Sequence, residues 1–441
     1  MIDALIASVR ETPGDDAPRL VLADALQARG DLWGEIISLS CRYEGLDRAS
    51  AEAHAVRERI LAMRSLRWPS KAFVGTIVRG FFDLVWANDA GVAQVRGPEH
   101  ALLRRLRVRK ATDAGLDALV GLPALAHVDE LRIDADGPGT PSRAVAAVAD
   151  AACRTLRLSG LDLSAAELNA MFAGPLGGAV RHLQVSQKRA PIAAASRWPA
   201  LDSLALSHGI DDGDVAMLLG APELLDLRAL DLFYNPLGDR ALETVAATPF
   251  TQLASLRLAA SEASEAGIAA LSRAGHLRRL TALALDWNRS VTLEPAHLTE
   301  LARFDQLTEL ELAMCATAPA LRAMYAALEA PLQRLRVAAA VAGPAAVPPL
   351  ERPSFAGLRS LALSFQPIGD RGAELIACAE LPQLAALDLA SCQIGPAGAL
   401  ALTTSTTLPR GLHLNLYGND LGPHVAALRA RYSQVESGPT H

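Results

Sequence analysis

The residues able to do covalent or metal chemistry are scattered along this chain. Its five cysteines include no C-x-x-C pair, and its ten histidines include no pair four residues apart. No lysine follows a glycine, and neither H-E-x-x-H nor G-x-S-x-G occurs, so the signatures of P-loop, zinc-protease and serine-hydrolase sites are absent from the sequence. We predict no catalytic residue, no metal site, no cofactor and no enzymatic activity.

Cys41 comes nearest to a nucleophile, because it precedes Arg42 and a neighbouring cation favours the thiolate. The simpler interpretation is a half-buried helix cysteine. An odd number of scattered cysteines favours reduced thiols over a disulfide framework, which predicts a cytoplasmic protein.

Composition narrows the class further. The 441 residues are 51% hydrophobic and carry a formal charge of -6, whereas nucleic-acid-binding domains are usually strongly basic. We see no export signal at the N-terminus, and prolines interrupt the longest run of low charge, residues 337–350, so no membrane span is predicted. Arginine far outnumbers lysine and alanine is abundant, a bias typical of GC-rich bacterial genomes.

A repeated pattern must position whatever site exists. Residues 227–237 follow the template L-x-x-L-x-L-x-x-N-x-L, and residues 358–368 and 384–394 repeat it with Gln366 and Cys392 in the Asn position. The template begins at thirteen places, about 26 residues apart: Leu103, Val128, Cys153, Val180, Leu201, Leu227, Leu253, Leu280, Leu307, Leu332, Leu358, Leu384 and Gly411.

This pattern resembles the leucine-rich-repeat family over residues 101–421, in about 13 units. Within each unit the leucines of L-x-L face one side of a strand, the Asn amide serves backbone groups of a turn, and a short helix follows. The predicted fold is an α/β leucine-rich-repeat solenoid, a horseshoe with a parallel sheet on the concave face and helices on the convex face. Asp239 and Asp370 are expected near the starts of two of these helices.

A different module precedes the repeats. Residues 1–68 read as four helices, and residues 15–37 resemble the repeat-companion domain of myxobacteria and planctomycetes, which implies a small all-α domain placed before repeats. Residues 69–100 are predicted to form a cap containing one strand, from Phe73 to Trp86. Residues 422–441 are predicted to close the other end, with a loose tail from Ser433.

Template positions three, five, seven and eight should point out of the concave face. In the central and later repeats they include five aromatic residues in a chain that is only 4% aromatic, and Trp and Tyr are enriched in binding hot spots. Mutual packing of these aromatics across strands is the alternative. The predicted partner-binding residues are Asp231, Phe233, Tyr234, Asp286, Trp287, Glu309, Glu311, Met314, Phe365 and Tyr417.

The first repeats place basic residues on the same face: Arg105, Arg107, Arg109, Lys110 and Arg132. A solvated strand and a patch for an anionic partner or nucleic-acid phosphates are both compatible with this cluster. The leading hypothesis is a non-catalytic protein-interaction module or scaffold. Polyanion binding through the basic cluster, and a recognition role within an enzymatic, signalling or defence assembly, are the alternatives. The sequence leaves the partner's identity and the oligomeric state open.

Overall fold

The computed structural model divides the chain into two compact units, Met1–Leu201 and Asp202–His441. It describes residues 1–68, 73–136, 141–187, 195, 197–260, 263–287, 292–293, 295–339 and 343–438. The sequence pattern did not indicate a division near residue 201, and the predicted boundaries at residues 68, 100 and 421 stay predictions.

The first unit begins with four helices: α1 (Ile2–Glu11), α2 (Ala17–Gln27), α3 (Leu32–Glu44) and α4 (Ala51–Arg67). Side chains cap two of them, since Asp31 accepts a hydrogen bond from the Trp33 amide (3.0 Å) and Ser50 accepts one from the Ala53 amide (3.1 Å). Val9, Leu22 and Trp33, from α1, α2 and α3, lie in one buried core.

A β-hairpin follows, where the sequence predicted one strand. Strands β1 (Phe73–Val78) and β2 (Phe81–Ala87) are antiparallel, and both Arg79 (φ 48°) and Gly80 (φ 85°) of the turn are left-handed, as in hairpin turns of the primed type. A Cβ on Gly80 would lie 2.4 Å from Ile37 Cγ1, so only glycine fits here. The Gly80 carbonyl accepts a 2.7 Å hydrogen bond from Trp33 Nε1. The alternating apolar pattern spans this turn, which is why the strand prediction was too long.

Repeats complete the first unit. Strand β2 pairs in parallel with β3 (Arg105–Ala111), which leads into the parallel strands β4 (Glu130–Ala135), β5 (Thr155–Ser159) and β6 (His182–Ser186). The helices of this unit's repeats and their cap are α5 (Asp89–Val92), α6 (Asp113–Leu119), α7 (Pro141–Ala147), α8 (Ala165–Met171) and α9 (Pro175–Ala179).

The second unit continues the same alternation. Its strands are β7 (Ser203–Ser207), β8 (Ala229–Leu232), β9 (Ser255–Ala260), β10 (Ala282–Trp287), β11 (Thr292–Leu293), β12 (Glu309–Ala316), β13 (Arg334–Ala339), β14 (Ser360–Ala362), β15 (Ala386–Asp388), β16 (His413–Asn415) and β17 (Gln434–Glu436). Its helices are α10 (Asp212–Leu218), α11 (Asp239–Ala247), α12 (Glu265–Arg273), α13 (Pro295–Thr299), α14 (Ala318–Ala327), α15 (Gly369–Ala377), α16 (Pro396–Thr404) and α17 (Val425–Arg431).

The register of the parallel strands confirms the template. Its fourth position aligns from strand to strand, as in Leu230 opposite Leu256 and Leu256 opposite Leu283, and these leucines are at most 2% exposed. The predicted loose tail was wrong at its start, because β17 pairs with β16 and the buried Tyr432 donates a 2.6 Å hydrogen bond to the Leu402 carbonyl.

The Asn position of the template joins neighbouring repeats. Asn235 is 2% exposed; its Oδ1 accepts hydrogen bonds from the Gly209 and Ile210 amides (3.2 and 3.1 Å), and its Nδ2 donates to the Leu206 carbonyl (2.8 Å). Asn419 makes the same set of bonds to the preceding repeat. The predicted role of the amide is confirmed at these positions. Asn288 and Cys315 hold the same template position in their repeats, but Asn288 and the side chain of Cys315 lie outside the described residues.

The helix-start aspartates serve the next repeat. Asp370 Oδ1 accepts hydrogen bonds from the Gly395 and Gly398 amides at the start of α16, at 2.6 and 2.8 Å. Asp239 contacts the start of α12 in the same way, through the Ser264 and Gly267 amides. The carboxylates therefore cap the following helix, which a spacing argument within one repeat does not reveal.

We expect Asn235→Ala to lower the free energy of unfolding by about 3 kcal/mol. The substitution leaves buried backbone amides and carbonyls without a hydrogen-bond partner, and each such group costs roughly 1–3 kcal/mol of stability. Denaturant titration measures the change. Asn235→Cys is the matched control, since Cys392 holds the same slot and its Sγ donates to the Leu363 carbonyl at 3.1 Å. Equal stability of the alanine variant and the natural chain would contradict this account.

Candidate functional site

The strand face is the name used below for the side of the second unit's sheet that carries template positions three, five, seven and eight. Asp231, Glu309 and Glu311 lie on this face in β8 and β12, and Phe233, Tyr234, Phe365 and Tyr417 follow strands β8, β14 and β16. Asp286 and Trp287 belong to β10 and Met314 to β12, but their side chains lie outside the description.

The charged residues of the strand face form a ladder of ion pairs. Arg257, at position five of its repeat, lies 3.3 Å from Asp231 and 3.8 Å from Glu311. It reaches past β10 because Ala284, the residue between them in register, is small and 5% exposed. Arg336 extends the ladder to Glu311 at 2.9 Å, and Arg334 pairs with Glu309.

These three arginines were not among the residues predicted from the sequence, because only acidic and aromatic side chains were singled out in the central repeats. Their template positions were available, and the opposite signs at equivalent positions of neighbouring repeats were the signal. The ladder surrounds a depression of about 360 Å³ whose lining includes Ala282, Ala284 and Ala362. Small side chains on two strands thus leave room between charged walls.

Position eight of the template has an unusual backbone. In several repeats the residue at this position has a left-handed backbone conformation, with φ between 53° and 63°: Lys110, His208, Tyr234, Phe365 and Ser391. Two other repeats have a glycine with positive φ there, Gly160 and Gly418. Bulky side chains rarely adopt this conformation, which is strained for any residue with a Cβ. Yet Tyr234 is 64% exposed and Phe365 is 75% exposed, so neither ring is used to fill the core.

The aromatic residues differ in what their rings contact. Tyr234 stacks on His208 at 5.4 Å and meets Phe233 edge-on at 4.9 Å, and Arg257 lies over the Phe233 ring at 5.0 Å. Packing across strands therefore accounts for part of the Phe233 and Tyr234 surface. Phe365 has no ring partner among the described residues, and its exposed ring lacks such an explanation.

Tyr417 is partly covered by the chain's own C-terminal segment. Its ring lies against Gly438, where an added Cβ would be only 2.1 Å from Tyr417 Cε2. The glycine at this point is required for the close approach of the segment. Tyr417 is still 45% exposed, but part of its ring already has a structural use.

In the first unit, carboxylates neutralise much of the predicted basic cluster. Arg105 pairs with Asp83 at 2.5 Å, Arg107 with Glu130 at 3.3 Å, and Arg132 with Asp134 at 2.9 Å. The guanidinium groups of Arg107 and Arg109 also lie over the Trp86 ring, at 5.5 and 5.3 Å. The cluster is a mixed ladder like that of the second unit rather than a bare positive patch.

The environment of Cys41 opposes the nucleophile hypothesis. Burial, followed by the nearby Asp16 carboxylate, raises the pKa of this thiol to about 12, despite the opposing effect of Arg19. Burial also raises the pKa of Cys153 and of Cys392 to about 12. No group of His, Cys, Asp and Glu side chains in the described part of the chain has an arrangement that could hold a metal ion.

The thiols should therefore differ sharply in reactivity towards Ellman's reagent at pH 8. A thiol with a pKa near 12 is almost fully protonated at that pH, so Cys41 should react only slowly, while the exposed Cys378 should react fast. We expect Cys378→Ser to remove a fast phase and Cys41→Ser to leave it intact. A fast phase lost in the Cys41 variant would revive a reactive cysteine.

Comparison with known proteins adds to this geometry. The sequence profile described as Leucine Rich repeat matches residues 225–246 and 383–402, the stretches that contain Asn235 and Cys392. The chain folds as a leucine-rich-repeat solenoid. No helix among the described residues is both long and apolar enough to span a bilayer.

Two solved structures are similar to this chain at low identity. The crystal structure of the yeast Rad7 and Elc1 complex is 16% identical, with 79% of this chain and 83% of that chain covered and a TM-score of 0.48. An internalin (inlF) from Listeria monocytogenes is 16% identical, with 81% and 87% covered and a TM-score of 0.34. A search of curated proteins found no match.

Phe365 offers a direct check of the left-handed position. We expect Phe365→Gly to be more stable than Phe365→Ala by about 1 kcal/mol, because both variants lose the ring and only alanine keeps the cost of a Cβ at positive φ. Thermal or denaturant unfolding measures the difference. At an ordinary strand position the order reverses, so a more stable alanine variant would contradict the assigned backbone.

Proposed function

We propose that this protein is a non-catalytic interaction module that binds a protein partner on the strand face of its second unit. The observation that carries the proposal is the pair Tyr234 and Phe365, two large exposed aromatics held at strained backbone positions where other left-handed repeats have Gly, Ser, Lys or His. Strain and exposure both cost stability, and structural packing explains Tyr234 only in part and Phe365 not at all.

The spacing of the two rings suits a macromolecular partner. Strands β8 and β14 are five strand steps apart, which corresponds to about 24 Å at the usual spacing between strands. A surface of that length is typical of a standard protein–protein interface. The depression over Ala284 lies between the two rings and would receive a side chain of the partner.

The ion-pair ladder supports the same proposal. The three arginines of the ladder are balanced by its three carboxylates, Asp231, Glu309 and Glu311, so this face offers no strong net field for a highly charged polymer. Paired charges around aromatic anchors favour specificity over raw affinity. Because Arg105, Arg107 and Arg132 are paired in the same way, polyanion binding through the basic cluster is the weaker alternative.

The proposal also covers the location of the protein and the role of its N-terminal helices. We place the protein in a bacterial cytoplasm, as a scaffold or as the recognition part of a larger signalling, defence or enzymatic assembly. In this proposal the repeat-companion domain at residues 1–68 tethers or caps the repeats. Asp286, Trp287 and Met314 stay candidate contact residues, because their repeats lie between those of Tyr234 and Phe365.

The test is quantitative capture of partners from host lysate on immobilised full-length chain, followed by mass spectrometry. We expect Tyr234→Gly/Phe365→Gly to lose at least about ten-fold of a specific protein, since hot-spot aromatics typically contribute more than 1 kcal/mol each. Ser391→Gly is the matched control, because it relaxes the same left-handed position on the same face without removing an aromatic ring. It should retain the partner.

Circular dichroism melts of both variants establish that they are folded. If the double glycine variant captures the same proteins in the same amounts as the natural chain, the strand-face proposal fails. An equal loss with Ser391→Gly would show that the backbone at position eight matters and the rings do not.

A further inference from the structure

One repeat of the second unit has no α-helix on the side opposite the strand face. Strand β12 is followed by α14 and strand β14 by α15, but after β13 the described chain makes only the short 3-10 turns Pro344–Ala346 and Pro353–Phe355. Pro344, Pro348 and Pro349 explain this, since each lacks a backbone donor. We call the space between α14 and α15 the helix gap.

The walls of the helix gap are fixed by the fold. Helices of adjacent repeats contact each other, as α11 does α12 and α15 does α16, whereas α14 and α15 both contact the turn Pro344–Ala346 that lies between them. Tyr325 of α14 is fully buried and donates a 3.0 Å hydrogen bond to the Ala346 carbonyl. This bond ties the turn to α14. The resulting groove has a volume of about 990 Å³.

Apolar side chains form most of the surface of this groove. Val347 and Leu350 lie along the proline-rich segment, and Leu375 of α15 lines the opposite wall while remaining 42% exposed. Its neighbour Ile376 is fully buried in the core, so Leu375 is directed away from it. A leucine exposed inside an apolar groove gains stability only when something covers it.

The charged side chains that line the groove determine which charge a bound segment should carry. Arg322, Glu351 and Glu380 line it and are exposed, and no ion pair is described for any of the three. Glu380 follows the C-terminal end of α15, where the helix dipole adds partial negative charge, and Tyr325 marks the corresponding end of α14. This end of the groove therefore favours positive charge.

We propose that the helix gap binds an amphipathic helix of a partner protein, which takes the place of the missing repeat helix. The flanking helices α14 and α15 have ten and nine residues, so the bound segment is about ten residues or 15 Å long. It carries apolar residues at i, i+3 or i+4 and i+7 towards Leu375 and Val347, and Lys or Arg in the turn next to Glu351 and Glu380. This surface is separate from the strand face and does not depend on the function proposed for it.

The probe is a phage-display library of single-helix peptides of about 12 residues, with leucines fixed at i, i+3 and i+7 and the first and last turns randomised. Selection on the full-length chain should enrich basic residues in one terminal turn. Binding of the selected peptides, measured by fluorescence anisotropy, should weaken at least about ten-fold in Leu375→Lys, because a charge would enter the apolar contact. Leu400→Lys is the matched control, since Leu400 is 48% exposed on the next helix and does not line the groove; it should bind normally.

A second variant tests whether Glu351 and Glu380 determine the charge of the bound peptide. Selection on Glu351→Lys/Glu380→Lys should enrich acidic instead of basic terminal turns. The Tyr234→Gly/Phe365→Gly variant should bind the selected peptides like the natural chain, which separates this proposal from that of the strand face.

The proposal fails if the selection yields no peptides that saturate the natural chain, if the selected peptides bind Leu375→Lys equally well, or if selection on the glutamate variant still enriches basic terminal turns. A dimer in sedimentation that Leu375→Lys dissociates would also overturn it, because the occupant would then be a second copy of this chain.

Discussion

Where the template carries Asn at its ninth position, as at Asn235 and Asn419, one interaction joins neighbouring repeats, the buried side-chain amide. The turn after each strand leaves backbone amides and carbonyls away from water, and such groups are costly unless they are paired. Asn235 and Asn419 satisfy donors and acceptors of their own turn and of the preceding repeat at once. Each such side chain thereby sets the spacing of two turns, while stacked leucines supply the burial energy.

The same turn determines what the strand face presents. To place the ninth side chain inside, the chain turns back at position eight through a left-handed residue, and the side chain at that position points to solvent. Glycine meets this requirement without strain at Gly160 and Gly418, so Tyr234 and Phe365 stand where folding alone would favour a smaller residue. Among the described aromatic residues, Phe365 and Tyr234 have the most exposed rings, and each directly precedes the buried amide side chain of its turn, Gln366 or Asn235.

Departures from regularity are informative for the same reason. Because a repeat contacts mainly its neighbours, a local change such as the proline-rich segment after β13 removes one helix and leaves the adjacent repeats intact. Tyr325 then reaches the Ala346 carbonyl, and Leu375 lines a groove instead of packing against a helix. Likewise, the small Ala284 allows Arg257 to join charges from strands that are not adjacent.

The sequence by itself determined the solenoid, its register and the sidedness of its strands, because leucine spacing and strand alternation are local properties that repeat. It also located Tyr234 and Phe365 on the exposed face. Only the tertiary structure decided that Arg79 and Gly80 break the first strand into a hairpin, that Asp370 caps the helix of the next repeat, and that Asp83, Glu130 and Asp134 neutralise the basic cluster. The hairpin turn depends on packing against α3, and most of the other contacts join groups that lie about one repeat apart. A template that describes a single repeat does not include the neighbouring repeat, so it cannot predict these contacts.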